Sequence, residues 1–138
     1  MPQVYRMDLL QSALAELANS LDGVQAAVIV SIEGFVVASY PPGDESFAEE
    51  GSANSSQVAA MAATLVALAQ RTMSRLGQGE IDRMLVEGQN GVMIVVPVTD
   101  EAAIAVLLEK GAKLGVAFYT GQFAAHRIRN ILAGSLVV

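Results

Sequence analysis

The segment Ser55–Gly77, SSQVAAMAATLVALAQRTMSRLG, has the periodicity of a helix but almost no polar side. Placed at about 100° per residue, Val58, Met61, Leu65, Leu68 and Leu76 cluster on one face, widened by Ala62, Val66, Ala69 and Met73. That stripe is the one expected to pack on the chain's own core. The opposite side holds Ala59, Ala60, Ala63, Ala67 and Ser74. Thr64, Arg71 and Arg75 form the only compact polar strip, with Gln70 on the other margin. A helix that is apolar nearly all round is buried nearly all round, so the alanine side needs a cover of its own. Small side chains let two helix axes approach closely. The economical cover is the same helix of a second subunit across a two-fold axis. The plainer alternative is that alanine is there only as a good helix former.

Other elements follow from spacing. Leu10, Leu14, Leu17 and Leu21 recur at four, three and four, the mark of a helix from about Met7 to Leu21, ended by Asp22-Gly23. VQAAVIVSI and FVVASY read as two strands joined by Glu33-Gly34, a hairpin signal. The acidic stretch Pro41–Asn54 reads as a loop, with Ser55 or Ser56 as the helix cap. Glu80–Glu87, VMIVVPV and AAIAVLLE are three further strands in a meander, with Gln89-Asn90-Gly91 as a turn. The third strand carries Asp82 and Arg83, as an edge strand does, and is a second candidate for pairing across the dimer. Strands one, four and five are apolar at nearly every position, which requires cover on both faces. The last helix is marked by Phe123, Ile128, Leu132 and Leu136, with Gly121 clouding its start. No internal repeat or second domain is visible in the 138 residues, so one domain, 1–138, is expected.

Composition narrows the function. The net charge is −6 with only eight Lys and Arg, which argues against nucleic acid or an anionic membrane as the main partner. The longest apolar run, Val58–Ala69, is too short to span a bilayer. The start, MPQVYRMDLLQSALAEL, lacks a basic end followed by an apolar block, so no secretory signal is expected. A cytoplasmic location is the expectation. No Cys is present, and His126 is the only histidine, which leaves no zinc set and no base–nucleophile pair. Asp44, Glu45, Glu49 and Glu50 lack the spacing of a calcium loop. There is no phosphate-binding G-x-x-x-x-G-K-[ST] motif. No catalytic residue, metal or cofactor is expected.

The stretch LAELANSLDGVQAAVIVSIEGFVVASY resembles the opening of the Roadblock family, the dynein-light-chain-like domain. VAAMAATLVALAQRTMSRLGQGEIDRMLVEGQNGVMIVVPVTDEAAIAVLLEKGAKLG resembles the remainder: an alanine-rich helix, Leu-Gly-x-Gly, a strand ending in Glu-Gly, the meander and a last Leu-Gly. The resemblance implies a three-layer α/β/α sandwich in the order αββαβββα around a five-stranded antiparallel sheet. It implies a homodimer in which the central helix and third strand pair across a two-fold. It implies, too, a protein that binds and regulates small Ras-like GTPases, as the activator of the bacterial gliding-motility switch does, or a dimeric adaptor in a larger assembly. By position, the dimer residues are Ala59, Ala60, Ala63, Ala67, Ser74, Asp82 and Arg83. The partner residues are Gln57, Thr64, Gln70, Arg71 and Arg75. Arg71 or Arg75 is in place to stabilise charge on a transferred phosphoryl group, although the bacterial activator resembles one that repositions the GTPase's own residues. A scaffold without effect on GTP hydrolysis is the alternative. A small-ligand sensor is the third possibility, with Pro41–Asn54 as its lid.

Overall fold

The computed structural model describes residues 3–42 and 54–134, with side chains from Arg6 onward. Its elements run α1 (Gln3–Ser20), β1 (Val24–Ser31), β2 (Val36–Tyr40), α2 (Ser55–Arg75), β3 (Met84–Glu87), β4 (Gly91–Thr99), β5 (Ala102–Glu109) and α3 (Leu114–Leu132). The five strands form one antiparallel sheet in the order β2-β1-β5-β4-β3. This is the expected α/β sandwich and order of elements.

The sheet has a different core on each face. On one side Leu10, Leu14 and Leu17 of α1 and Ala117, Ala124, Ala125 and Ile128 of α3 pack against Ile29, Ile94, Ile104 and Val106. On the other, Val58, Ala59 and Ala62 of α2 pack against Val28, Val30, Val95, Ala103 and Ala105. β1 and β5 lie between the two cores, and Ala26 through Val30 are all buried. Their unbroken apolar sequences thus have the two-sided cover expected of them. In β4, Met93 and Pro97 are only half-buried, because α2 does not extend over their side of the sheet.

Several local expectations are corrected. α1 begins at Gln3, before the apolar spacing starts. The cap of α2 is Asn54, whose Oδ1 accepts the Gln57 N–H at 2.9 Å, not Ser55 or Ser56. Ser55 is buried instead. The hairpin link is four residues, Ile32–Phe35, closed by the Ser31 N–H donating to the Phe35 carbonyl. Gly34 takes φ +92 there and packs close to Ala60, where a Cβ would lie 3.4 Å from the Ala60 Cα. β3 starts at Met84, so Asp82 and Arg83 precede the strand. Gly121 lies well inside α3, where a Cβ would meet Val96 at 3.2 Å; its missing side chain lets the helix sit down on β4. Leu136 and residues 43–53 of the acidic stretch lie outside the described residues.

The largest correction concerns the faces of α2. Val58, Ala62 and Val66 lie toward the sheet as expected, but Ala59 and Ala63, expected on the opposite side, pack there too, Ala59 wholly buried. Met61, Leu68 and Leu76, expected on that face, are 57%, 57% and 66% exposed, and Leu65 is half-buried. The reason is volume. The sheet face below is built of Val28, Val30, Val95, Ala103 and Ala105, and a helix facing it with alanine sits closer than one facing it with leucine. Alanines let the helix approach. Enlarging Ala59 should therefore overpack the contact, so Ala59→Leu should lose about 1–3 kcal/mol of stability, while Ser12→Leu, at an exposed position of α1, should stay within about 0.5 kcal/mol of the parent. Denaturant unfolding of the two variants measures the difference.

Candidate protein-docking site

With Ala59 and Ala62 turned inward, α2 presents a different outer surface from the one its composition suggests. Met61, Thr64, Leu68, Arg71, Thr72 and Arg75 recur at spacings of three and four, and all are exposed. Spacings of three and four put side chains on one helix face. The Thr64 hydroxyl donates to the Ala60 carbonyl at 2.9 Å and that of Thr72 to the Leu68 carbonyl at 2.8 Å. Both threonines thus satisfy their donors within the helix, so the strip combines Met61 and Leu68 with the two arginines. Arg71 and Arg75 are its charges, and neither forms an ion pair among the described residues. α2 contains no acidic residue.

The sheet beside α2 is also open. Opposed residues of an antiparallel pair share a face. Met84 opposes Val95 and Val86 opposes Met93, which puts Met84, Val86 and Met93 on the α2 side. Val86 is exposed, Met84 and Met93 are half-buried, and β3 is the sheet's edge. An edge strand of four residues with a free hydrogen-bonding side is a template for another strand. The second core thus ends in an uncovered apolar step, formed by the outer face of α2 and the inner face of β3 and β4.

The structure brings Thr64, Arg71 and Arg75 together on this surface, as expected. It treats the two glutamines differently. Gln70 Oε1 accepts the Ile81 N–H at 3.3 Å, so this side chain holds the segment leading to β3 against the helix. Gln57 is half-buried, and its Oε1 has no hydrogen-bond partner among the described residues. Of the residues expected at a dimer contact, Ala59 and Ala63 are taken up by the chain's own sheet. Ala60, Ala67 and Ser74 remain exposed along one flank of α2. Asp82 and Arg83 are exposed ahead of β3, and the Arg83 guanidinium lies 5.0 Å from the centre of the Phe118 ring. That contact ties the approach to β3 to α3. Sequence reasoning missed Met61, Leu68, Leu76 and Val86 as surface residues. Helical periodicity carries no signal for the choice, because both sides of this helix are apolar. His126 is exposed on α3, and no cluster of three metal-ligating side chains is found among the described residues.

A protein-family model, the Roadblock/LC7 domain, matches residues 10–108, from the middle of α1 to the end of β5. The chain belongs to the Roadblock/LC7 family. Among similar proteins, MJ1340 of Methanocaldococcus jannaschii is 29% identical over 121 residues, covering 88% of this chain and 97% of that protein. MJ0714 of the same organism is 30% identical over 121 residues, covering 88% of this chain and 94% of its own. Among solved structures, a Roadblock/LC7 domain from Streptomyces avermitilis superposes with a TM-score of 0.76 at 21% identity, covering 89% of this chain and 97% of that one. The gliding protein MglB of Thermus thermophilus superposes with a TM-score of 0.79 at 18% identity, covering 94% and 93%. These likenesses establish the Roadblock fold. They place this chain's exposed α2 and its β3 edge in a known architecture.

The role found for Gln70 can be checked within the folded protein. Gln70→Ala removes the acceptor of the Ile81 N–H, and exchange of the Ile81 amide should become several-fold faster. Global stability should change by no more than about 0.5–1.5 kcal/mol, the worth of one such hydrogen bond. Residue-resolved hydrogen exchange measures the first and denaturant unfolding the second.

Proposed function

We propose that this protein is a homodimeric, non-enzymatic regulator of a small Ras-like GTPase, with α2 as the centre of its interaction surface. The observation that carries the proposal is the exposure of Met61, Leu68 and Leu76 on one helix, beside Arg71 and Arg75 and next to the open edge of β3. Clustered on one side of α2, these side chains form an apolar patch that a second subunit can cover. Burying such a side chain fully is worth about 1.5–3 kcal/mol. The dimer joins α2 and β3 to their copies, and the contact belongs to the outward leucines and Ala60, Ala67 and Ser74 rather than to Ala59 and Ala63. The remaining strip, Thr64, Arg71 and Arg75, meets the GTPase, with Gln57 at its margin. Membership of the Roadblock family supports this assignment, as does the shared fold of the gliding protein MglB.

Among the described residues no helix is long and apolar enough to cross a membrane, which is consistent with the proposed work in the cytoplasm. The alternative within the same family is an adaptor that uses this dimer to join other proteins and leaves GTP hydrolysis unchanged.

Two variants separate these roles. Leu68→Glu places a charge at the centre of the outward face and should convert the dimer to a monomer in light scattering coupled to size exclusion. Arg71→Ala combined with Arg75→Ala should leave the dimer intact while reducing, by about tenfold or more, its binding to a GTP-loaded Ras-like GTPase from the same genome. Stimulated phosphate release by that GTPase supports the regulator, and unchanged release with binding retained supports the adaptor. A Leu68→Glu protein that remains dimeric overturns the assignment of the interface.

A further inference from the structure

A second concave surface lies on another side of α2. It is a groove of about 310 Å³ between the middle of α2, the end of β1 and the β4–β5 turn. Val30, Val66, Pro97 and Ala103 form its apolar walls. The segment carrying Glu80 and Ile81 closes one side and is held there by the hydrogen bond from the Ile81 N–H to Gln70. Ile32, 56% exposed at the hairpin tip, continues the apolar surface at the groove's margin. The charges are one-sided. Glu80 and Asp100 both line the groove, neither is in an ion pair among the described residues, and no Lys or Arg lines it. The strip proposed for the GTPase carries the opposite charge, in Arg71 and Arg75.

Apolar walls with two carboxylates, Glu80 and Asp100, in an otherwise uncharged lining complement an apolar side chain flanked by a cation. Lysine and arginine add to the fit, because their alkyl stems lie along apolar surface while the charged head stays in water beside a carboxylate. We propose that this groove docks a segment of another protein in which an apolar side chain is flanked by Lys or Arg. Ile32 is part of the lining and is itself exposed at the hairpin tip, so the apolar lining reaches the outer surface, where a protein segment can lie along it. The segment comes from a different chain. Of this chain's eight Lys and Arg, Arg83, Lys110, Arg127 and Arg129 are engaged with Phe118, Glu87, Glu16 and the Val98 carbonyl, and Arg71 and Arg75 lie on the outward strip. The groove shares no residue with the strip Thr64, Arg71 and Arg75 proposed for the GTPase, so the two assignments are tested separately, although Ala67, assigned above to the dimer contact, is part of its lining. It gives the protein a second docking surface, of opposite charge preference to the first.

The test is a titration of the full isotope-labelled chain, followed by NMR, with the acetylated, amidated peptide Gly-Lys-Leu-Arg-Phe-Lys-Leu-Gly. The amides of Ile32, Gln70, Ile81 and Ala103 should shift and saturate. The same peptide with every cation replaced by Glu should produce no saturable shift. Reversing the rim charges with Glu80→Lys and Asp100→Lys, both at exposed positions, should weaken binding of the basic peptide by about tenfold or more. The single variant Asp100→Asn should weaken it measurably if the double variant does not fold. Absence of a saturable shift overturns the proposal, as do shifts confined to residues outside the groove. Undiminished binding by the folded charge variants overturns it too. Benzylamine reproducing the same shifts at the same affinity would assign the groove to a small organic cation and overturn the docking of a protein segment.

Discussion

The close contact between the alanines of α2 and the valine face of the sheet decides most of what this molecule presents to others. Val28, Val30, Val95, Ala103 and Ala105 form that face, and Ala59 and Ala62 let the helix come down onto it. Close packing inside proteins leaves little tolerance for a different arrangement. Once this contact forms, rotation of α2 about its axis is settled, and Met61, Leu68 and Leu76 have nowhere to go but outward. The apolar surface on α2 is thus a consequence of how the chain's own core is filled. A leucine stripe that usually builds a core is left to build an interface.

The rest of the sandwich supports that arrangement. α1 and α3 together cover the opposite face, so α2 has its side of the sheet to itself. One helix cannot cover five strands, and it covers the β1 end. The β3–β4 end remains open, with Met84, Val86 and Met93 on the uncovered side. Two copies brought together at β3 would cover each other's open ends, which gives a physical reason for a dimer in the proposed function. Gln70 and Arg83 brace the segment between α2 and β3 from two sides, one by a hydrogen bond to Ile81 and one by stacking on Phe118. They hold the edge strand in position relative to the helix whose surface it extends.

Charge divides the surface around α2 into two kinds. The outward strip carries arginines and no carboxylate, while the groove along another side carries Glu80 and Asp100 and no cation. In a chain of net charge −6 with eight Lys and Arg, such segregation means that a partner suited to one surface is repelled by the other. Charge complementarity of this kind acts more on the choice of partner and on the rate of encounter than on raw affinity.

Much of the architecture was legible in the chain itself. The order of helices and strands follows from local patterns: leucines at helical spacing, apolar runs bounded by glycine turns, and a meander with short links. The need for helices on both faces follows from the unbroken apolar runs of β1 and β5, since a strand with no polar side has no side to give to water. Thr64, Arg71 and Arg75 could be placed on one exposed strip because helical spacing alone puts them together. The assignment of the two apolar faces of α2 could not be made in that way. Helical periodicity says which residues lie on the same side but not which side meets the sheet, and both sides of this helix are apolar. That choice depends on the volume already supplied by strands far away in sequence, so only the tertiary structure made it. The same holds for Gln70, whose acceptor meets a backbone N–H eleven residues on, and for the groove, whose walls come from four separate elements.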